Sequence, residues 1–177
     1  MSRTYNRPAV VLHWLLALMI FSALPLGFYM HNLPLSPGKL QLYSYHKWLG
    51  ITVLWLAGVR VVWRLLRDVP PPLPAPRWQQ IAAAATHGLL YLLLFAVPLS
   101  GWLMSSAKGF TTVYFGVLPL PDLLGKDKAL GDALLELHEV LNFALIALLG
   151  LHVAAALKHH FIDRDETLVR MTFKELP

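Results

Sequence analysis

Four apolar stretches, at roughly 9–30, 43–66, 80–104 and 133–160, divide this chain of 177 residues. Each is close to the ~20 residues a helix needs to cross ~30 Å of hydrocarbon. In lipid every backbone polar group must be satisfied within the segment, so stretches of this length resolve to helices. The expected fold is therefore all-α, a bundle of four transmembrane helices forming a single domain over residues 1–177. Composition agrees: 56% of residues are hydrophobic and only 14% charged, with mean hydropathy +0.54, whereas soluble domains carry about a quarter charged residues. The first apolar run, Val10 to Met30, is longer than a signal-peptide core and no small-x-small cleavage pattern follows it, so it is expected to stay in the mature chain.

Breakers separate the spans. "NLPLSPG" (32–38) follows the first, and the proline-rich "DVPPPLPAPRW" (68–78) stiffens the link between the second and third. Pro98 is expected to kink the third span. Residues 105–132 are too interrupted to cross and read as an interfacial loop with a short helix.

The net charge of +5 does not point to nucleic acid, because the basic residues lie at the edges of the apolar stretches rather than in a patch. Instead they orient the chain. Ten of the fifteen Lys and Arg (Arg3, Arg7, Arg60, Arg64, Arg67, Arg77, Lys158, Arg164, Arg170 and Lys174) fall on the side of the termini. Five (Lys39, Lys47, Lys108, Lys126 and Lys128) fall on the other. The positive-inside rule then places both termini in the cytoplasm. Trp14, Trp48, Trp63, Trp78 and Trp102 fall near span ends, where interfacial anchors belong.

With no cysteine, disulfides, thiolate metal sites, iron–sulfur clusters and covalently attached haem are excluded, which leaves eight histidines as the metal-binding chemistry. His138 and His152 lie in one span. Fourteen residues turn a helix by about 1400°, some 40° short of four turns, and advance it by about 21 Å. The two imidazoles thus share a face at two depths. His13 in span one matches the inner depth of His152, and His46, opening span two, matches the outer depth of His138. Two bis-imidazole sites stacked across a membrane are what two b-type haems require, and the apolar macrocycle suits the space between helices. Zinc would need three or four protein ligands, and the deeper parts of the spans offer no acidic residue to complete a site.

His87 in span three lies at the inner depth and competes with His13. His138 and His152 on one rigid element fix both sites, so His87 is read as a supporting or substrate-site residue. Arg64 and His159 at the inner edge are further candidates for a quinone site, His159 and His160 being equally well explained as a solvated interfacial pair. His31 reads as structural. Gly50, one turn after His46, gives a porphyrin edge room or serves helix packing. Asn142 could bond the His138 imidazole, a propionate or another helix. Arg3, Arg7 and Arg64 inside and Lys47 outside are candidate propionate partners.

These features resemble the prokaryotic cytochrome b561 family and, more distantly, the di-haem cytochrome b subunits of hydrogenases and formate dehydrogenases. The resemblance covers nearly the whole chain through "LHW" in span one, the histidine opening span two, "HGLLYLLLFAVPLSGWLM", "LHEVLNFALIALLGLHVAAALKHHF" and "TLVRM". It implies His13, His46, His138 and His152 as axial ligands of two haem b groups, exchange with the quinone pool, and, for stand-alone members, oxidation of superoxide with delivery of the electron to ubiquinone. Lysines on the outer face could concentrate an anion, although Asp122, Asp127, Asp132, Glu136 and Glu139 lie in the same region. The alternative is a relay subunit passing electrons between a partner dehydrogenase or hydrogenase and quinone. No extra docking domain calls for such a protein partner.

Overall fold

The computed structural model describes residues 4–173. Arg3 and Lys174, which enter the charge count above, lie outside the described residues. The chain forms four long helices, α1 (Arg7–His31), α2 (Pro37–Leu66), α3 (Arg77–Ala107) and α4 (Lys128–Lys158), each long and apolar enough to cross a membrane. The protein is an all-α, four-helix, multi-pass membrane bundle.

Local chemistry sets the helix ends, and the helices overrun the apolar stretches. α2 starts at Pro37 because Ser36 accepts a hydrogen bond from Lys39 N (3.2 Å) and proline suits the first turn. α4 starts at Lys128 because Asp127 accepts from Leu130 N (3.1 Å). Hydropathy registers only the part that lipid covers. Asp127→Ala should therefore cost about 1 kcal/mol and show as faster amide exchange over 128–131, with the rest of α4 unchanged. α3 runs continuously through Pro98.

All four helices meet at mid-height in one buried cluster, Leu16 and Ile20 from α1, Val53 from α2, Leu93 from α3 and Leu145 from α4. Leu145 is seven residues from both His138 and His152, so this apolar layer sits between the two histidine depths. Outward, Leu18, Trp55, Leu92, Val140 and Phe143 are each more than half exposed. Such a girdle would be costly in water, about 25 cal/mol per Å², and costs little against acyl chains.

The end of the bundle away from the termini is closed by a hairpin, β1 (Val113–Tyr114) antiparallel to β2 (Leu118–Pro119). The expected short helix in 105–132 is replaced by this hairpin. Tyr114, Val113 and their neighbours favour strand, Pro119 and Pro121 bar a helix, and left-handed backbone at Phe115 (φ 49°) and Gly116 (φ 73°) reverses the chain. The hairpin docks on α2 through Trp48 Nε1 to Val113 O (2.7 Å) and a Thr52–Tyr114 hydroxyl pair (2.7 Å).

At the terminal end, α4 runs into a π-helical turn (His159–Asp163), a left-handed residue at Arg164 and a short 3-10 turn (Val169–Met171). This tail laps back over the bundle. Trp14 Nε1 donates to Met171 O (2.7 Å), Tyr5 N to Arg170 O (3.4 Å), and Arg170 Nη1 to Pro71 O (2.8 Å). Three of the expected interfacial tryptophans thus have specific partners, since Trp63 Nε1 also donates to Asn6 Oδ1 (2.9 Å).

Candidate functional site

The hairpin end holds a cavity of about 360 Å³ whose lining includes His46, His138, Gly27, Gly101, Lys47 and Trp102. The rings of His46 (α2) and His138 (α4) stand edge-on and nearly perpendicular (88°), with centres 6.3 Å apart. His138 is held from α3. Its Nδ1 lies 3.0 Å from Val97 O and 2.9 Å from Ser100 Oγ. A carbonyl can only accept, so Nδ1 carries the proton, and the lone pair is left on Nε2. Val97 and Ser100 thereby fix the tautomer a metal ligand needs. His46 Nδ1 is buried and makes no hydrogen bond of acceptable geometry, although the Ala23 backbone faces it.

Both rings lie against bare backbone. A Cβ at Gly27 would fall 3.2 Å from His46 Cε1, and one at Gly101 3.1 Å from His138 Cε1. Either approach is tighter than ordinary van der Waals contact, so each glycine makes room for its imidazole. Gly50 lines the same cavity, but a Cβ there would meet only Pro98 Cβ at 3.9 Å, an ordinary contact.

At the terminal end, His13 (α1) and His152 (α4) stand with ring centres 6.2 Å apart, and His87 (α3) lies edge-on to His152 at 5.4 Å. Beside them Arg60 is fixed through Nη1 to Ala9 O (2.9 Å) and Nε to Tyr91 OH (3.1 Å), and both Arg60 and Arg64 lie over the Tyr91 ring at 5.9 Å. His159 lies beyond, at the end of α4, with Nδ1 2.6 Å from Asp165 Oδ2. Partial burial by itself would raise the Asp165 carboxyl; hydrogen bonds from the Thr167 side chain and backbone and from His159 outweigh it and hold the group below the ordinary carboxylate value. A carboxylate so lowered adds stability to its turn above the ordinary carboxylate value, and that contribution is lost as pH falls through the lowered one.

These spacings discriminate between the histidines. A metal ion held between two imidazole nitrogens on its opposite sides, at about 2 Å each and with each ring centre about 1.1 Å behind its nitrogen, would set the ring centres about 6.2 Å apart. His46 with His138, and His13 with His152, stand at that spacing; His87 and His152 are too close for it. The neutral donor pairs, the apolar walls and the cavity suit an apolar metallo-macrocycle. Trp102 Nε1, buried without a partner, and Lys47, whose Nζ reaches Phe110 O at 3.2 Å, are donors a carboxylate edge could use.

Several residues escaped the sequence reading. Gly27, Gly101, Ser100 and Val97 could have been suspected only from small residues set mid-helix at the depth of a histidine on another span. Asn142 Nδ2 donates to His138 O (2.7 Å) within its own helix, so it supports α4 rather than the imidazole. Lys39 Nζ is engaged by the carbonyls of His31 and Leu33, and Lys108 pairs with Asp132 at 3.0 Å. Of the lysines at the hairpin end, Lys47 is the one on the cavity wall.

The profile of the prokaryotic cytochrome b561 family matches residues 4–174. Cytochrome b561 homolog 2 of Escherichia coli (strain K12) is 37% identical over 172 residues, 96% of this chain and 92% of that protein. A probable superoxide oxidase CybB of Yersinia pestis is 30% identical over 182 residues, 99% of both. The family implies b-type haem and membrane electron transfer. This chain belongs to the prokaryotic cytochrome b561 family.

Proposed function

We propose that this chain is a di-haem cytochrome of the bacterial inner membrane, with both termini cytoplasmic, that carries electrons from superoxide at the outer side to ubiquinone at the inner side. The observation that carries this reading is the pair of neighbouring imidazoles from two helices at each end of one bundle, with ring centres 6.3 and 6.2 Å apart. Haem b, when bound, supplies reversible one-electron iron chemistry. His46 and His138 would hold the outer group, His13 and His152 the inner.

The remaining residues act around those ligands. Val97 and Ser100 orient His138; the leucine-rich layer at Leu16, Val53, Leu93 and Leu145 excludes water between the two sites. Lys47 places a cation on the outer cavity wall, where it attracts an anion such as superoxide, and similarity to the probable superoxide oxidase CybB of Yersinia pestis supports that donor. His87, Arg64 and His159 all belong to the inner end and are the groups suited to hydrogen-bond a quinone.

Reduced-minus-oxidised spectra with haem quantification should give two haem b per chain. Purified protein should then be reduced by superoxide and reoxidised by a ubiquinone analogue. Rapid reduction by quinol together with failure of superoxide would instead favour a relay between a partner enzyme and quinone.

A further inference from the structure

Beyond the haem ligands, the tail builds a second constellation that the electron path does not explain. α4 ends in a π-helical turn, and Arg164, a non-glycine residue, takes a left-handed conformation (φ 53°) directly after it. Such a conformation is strained for a residue with a side chain and persists only when its surroundings demand it. Its result is visible on either side. Asp163 and Asp165 both turn toward His159, with Oδ2 atoms 3.2 and 2.6 Å from Nδ1. Asp165 is itself fixed, since Oδ1 accepts from Thr167 N (2.8 Å) and its own N donates to His159 O (3.1 Å). His159, Asp163 and Asp165 have the spacing of a cation site, but Lys158 already pairs with Asp163, so a hydrogen-bonded relay fits the cluster better.

We infer that Asp165 is a positioning residue for quinone protonation: it accepts a hydrogen bond from His159 Nδ1–H, fixes the ring, and leaves Nε2 to deliver protons to the quinone. This rests on the proposed quinone site at the inner end. Reduction of one quinone to quinol takes two electrons and two protons. The electrons are those the proposed function delivers; each proton leaves His159 Nε2 for a quinone oxygen, and the imidazole recovers one from water at the terminal end. Ionised Asp165 stabilises the transient imidazolium, with Asp163 in support. The charged groups at this imidazole, among the described residues, are Asp163 and Asp165, with Lys158 behind Asp163. His159 is seven residues beyond His152, about 20° short of two turns, so both side chains leave nearly the same face of α4.

The test uses detergent-purified, haem-loaded D165N, D165E and H159Q, read for haem content, for reduction by superoxide, and for reoxidation by a soluble ubiquinone analogue in H2O and D2O. Asn keeps an acceptor oxygen but loses the charge. D165N should slow reoxidation by about tenfold or more through kcat rather than KM, with a larger solvent isotope effect, unchanged haem content and unchanged reduction; D165E should recover most of the rate. Wild-type reoxidation in D165N with a slow H159Q overturns the inference and leaves the quinone reading standing. Wild-type rates in both remove the quinone reading at His159 and the inference with it. Equal slowing in D165N and D165E, accompanied by haem loss, would mean that Asp165 only shapes the tail, and the inference fails.

Discussion

His138→Ala and His46→Ala should each yield protein with one haem in place of two, and the haem lost should be the same in both. His13→Ala and His152→Ala should lose the other. Each substitution removes half of an iron's protein ligation, so retention at that site should fall by more than the ~10–100-fold that loss of a supporting hydrogen bond costs. The pairing follows from ring spacing: 6.3 Å for His46 and His138 and 6.2 Å for His13 and His152. His87 stands 5.4 Å from His152, closer than two imidazoles on opposite sides of one ion would stand, and His87→Ala should keep both haems. Haem quantification and low-temperature difference spectra of the five variants decide the matter. An emptied inner site in His87→Ala with a filled one in His13→Ala would reverse the assignment. The variants should remain folded, because the buried layer at Leu16, Ile20, Val53, Leu93 and Leu145 contains none of these residues.

What the sequence discloses follows the physics of each feature. Four apolar runs and the fourteen-residue interval between His138 and His152 are periodic quantities, so helix geometry converts them into spans, a shared face and two depths. The ends of α2 and α4 were not legible from hydropathy because Ser36 and Asp127 set them, and capping is local chemistry in a polar stretch. The hairpin at 113–119 was missed because two-residue strands are too short to show alternation, and the prolines and glycine that break a helix say little about what replaces it. Least visible were contacts between spans. Nothing in the string places Ser100 against His138, or Gly27 against His46, because those contacts depend on the rotation of one helix against another. The same is true of Asp165: the sequence offers His159 only as a quinone candidate or a solvated edge residue, and the carboxylates reach it through the backbone turn at Arg164.

Gly101→Val should empty the outer haem site while leaving the inner one filled, and the competing energies show why. In a solvent-exposed helix, replacing glycine by alanine gains about 1 kcal/mol, so on propensity alone a side chain at 101 would help α3. Against this, the first carbon would sit 3.1 Å from His138 Cε1, and overpacking a filled site costs about 1–3 kcal/mol. The ring cannot swing aside freely, because Val97 O and Ser100 Oγ grip its Nδ1 from the same face of α3; breaking that buried contact costs about 1–3 kcal/mol more. Valine adds two further carbons to the conflict, so the cost exceeds the gain, whereas alanine is expected near balance with partial haem loss. Gly27→Ala should be milder than Gly101→Ala: a Cβ there would lie 3.2 Å from His46 Cε1, and no hydrogen bond of good geometry pins the His46 ring, so it can yield. Gly58→Ala and Gly150→Ala, where a Cβ would meet nothing within 4 Å, are the controls and should match wild type. The inner haem serves as internal standard in every sample, so the ratio of the two haem signals in difference spectra measures the effect independently of expression. An unaltered ratio in Gly101→Val would mean that the His138 ring is not held where the proposed iron-binding role requires.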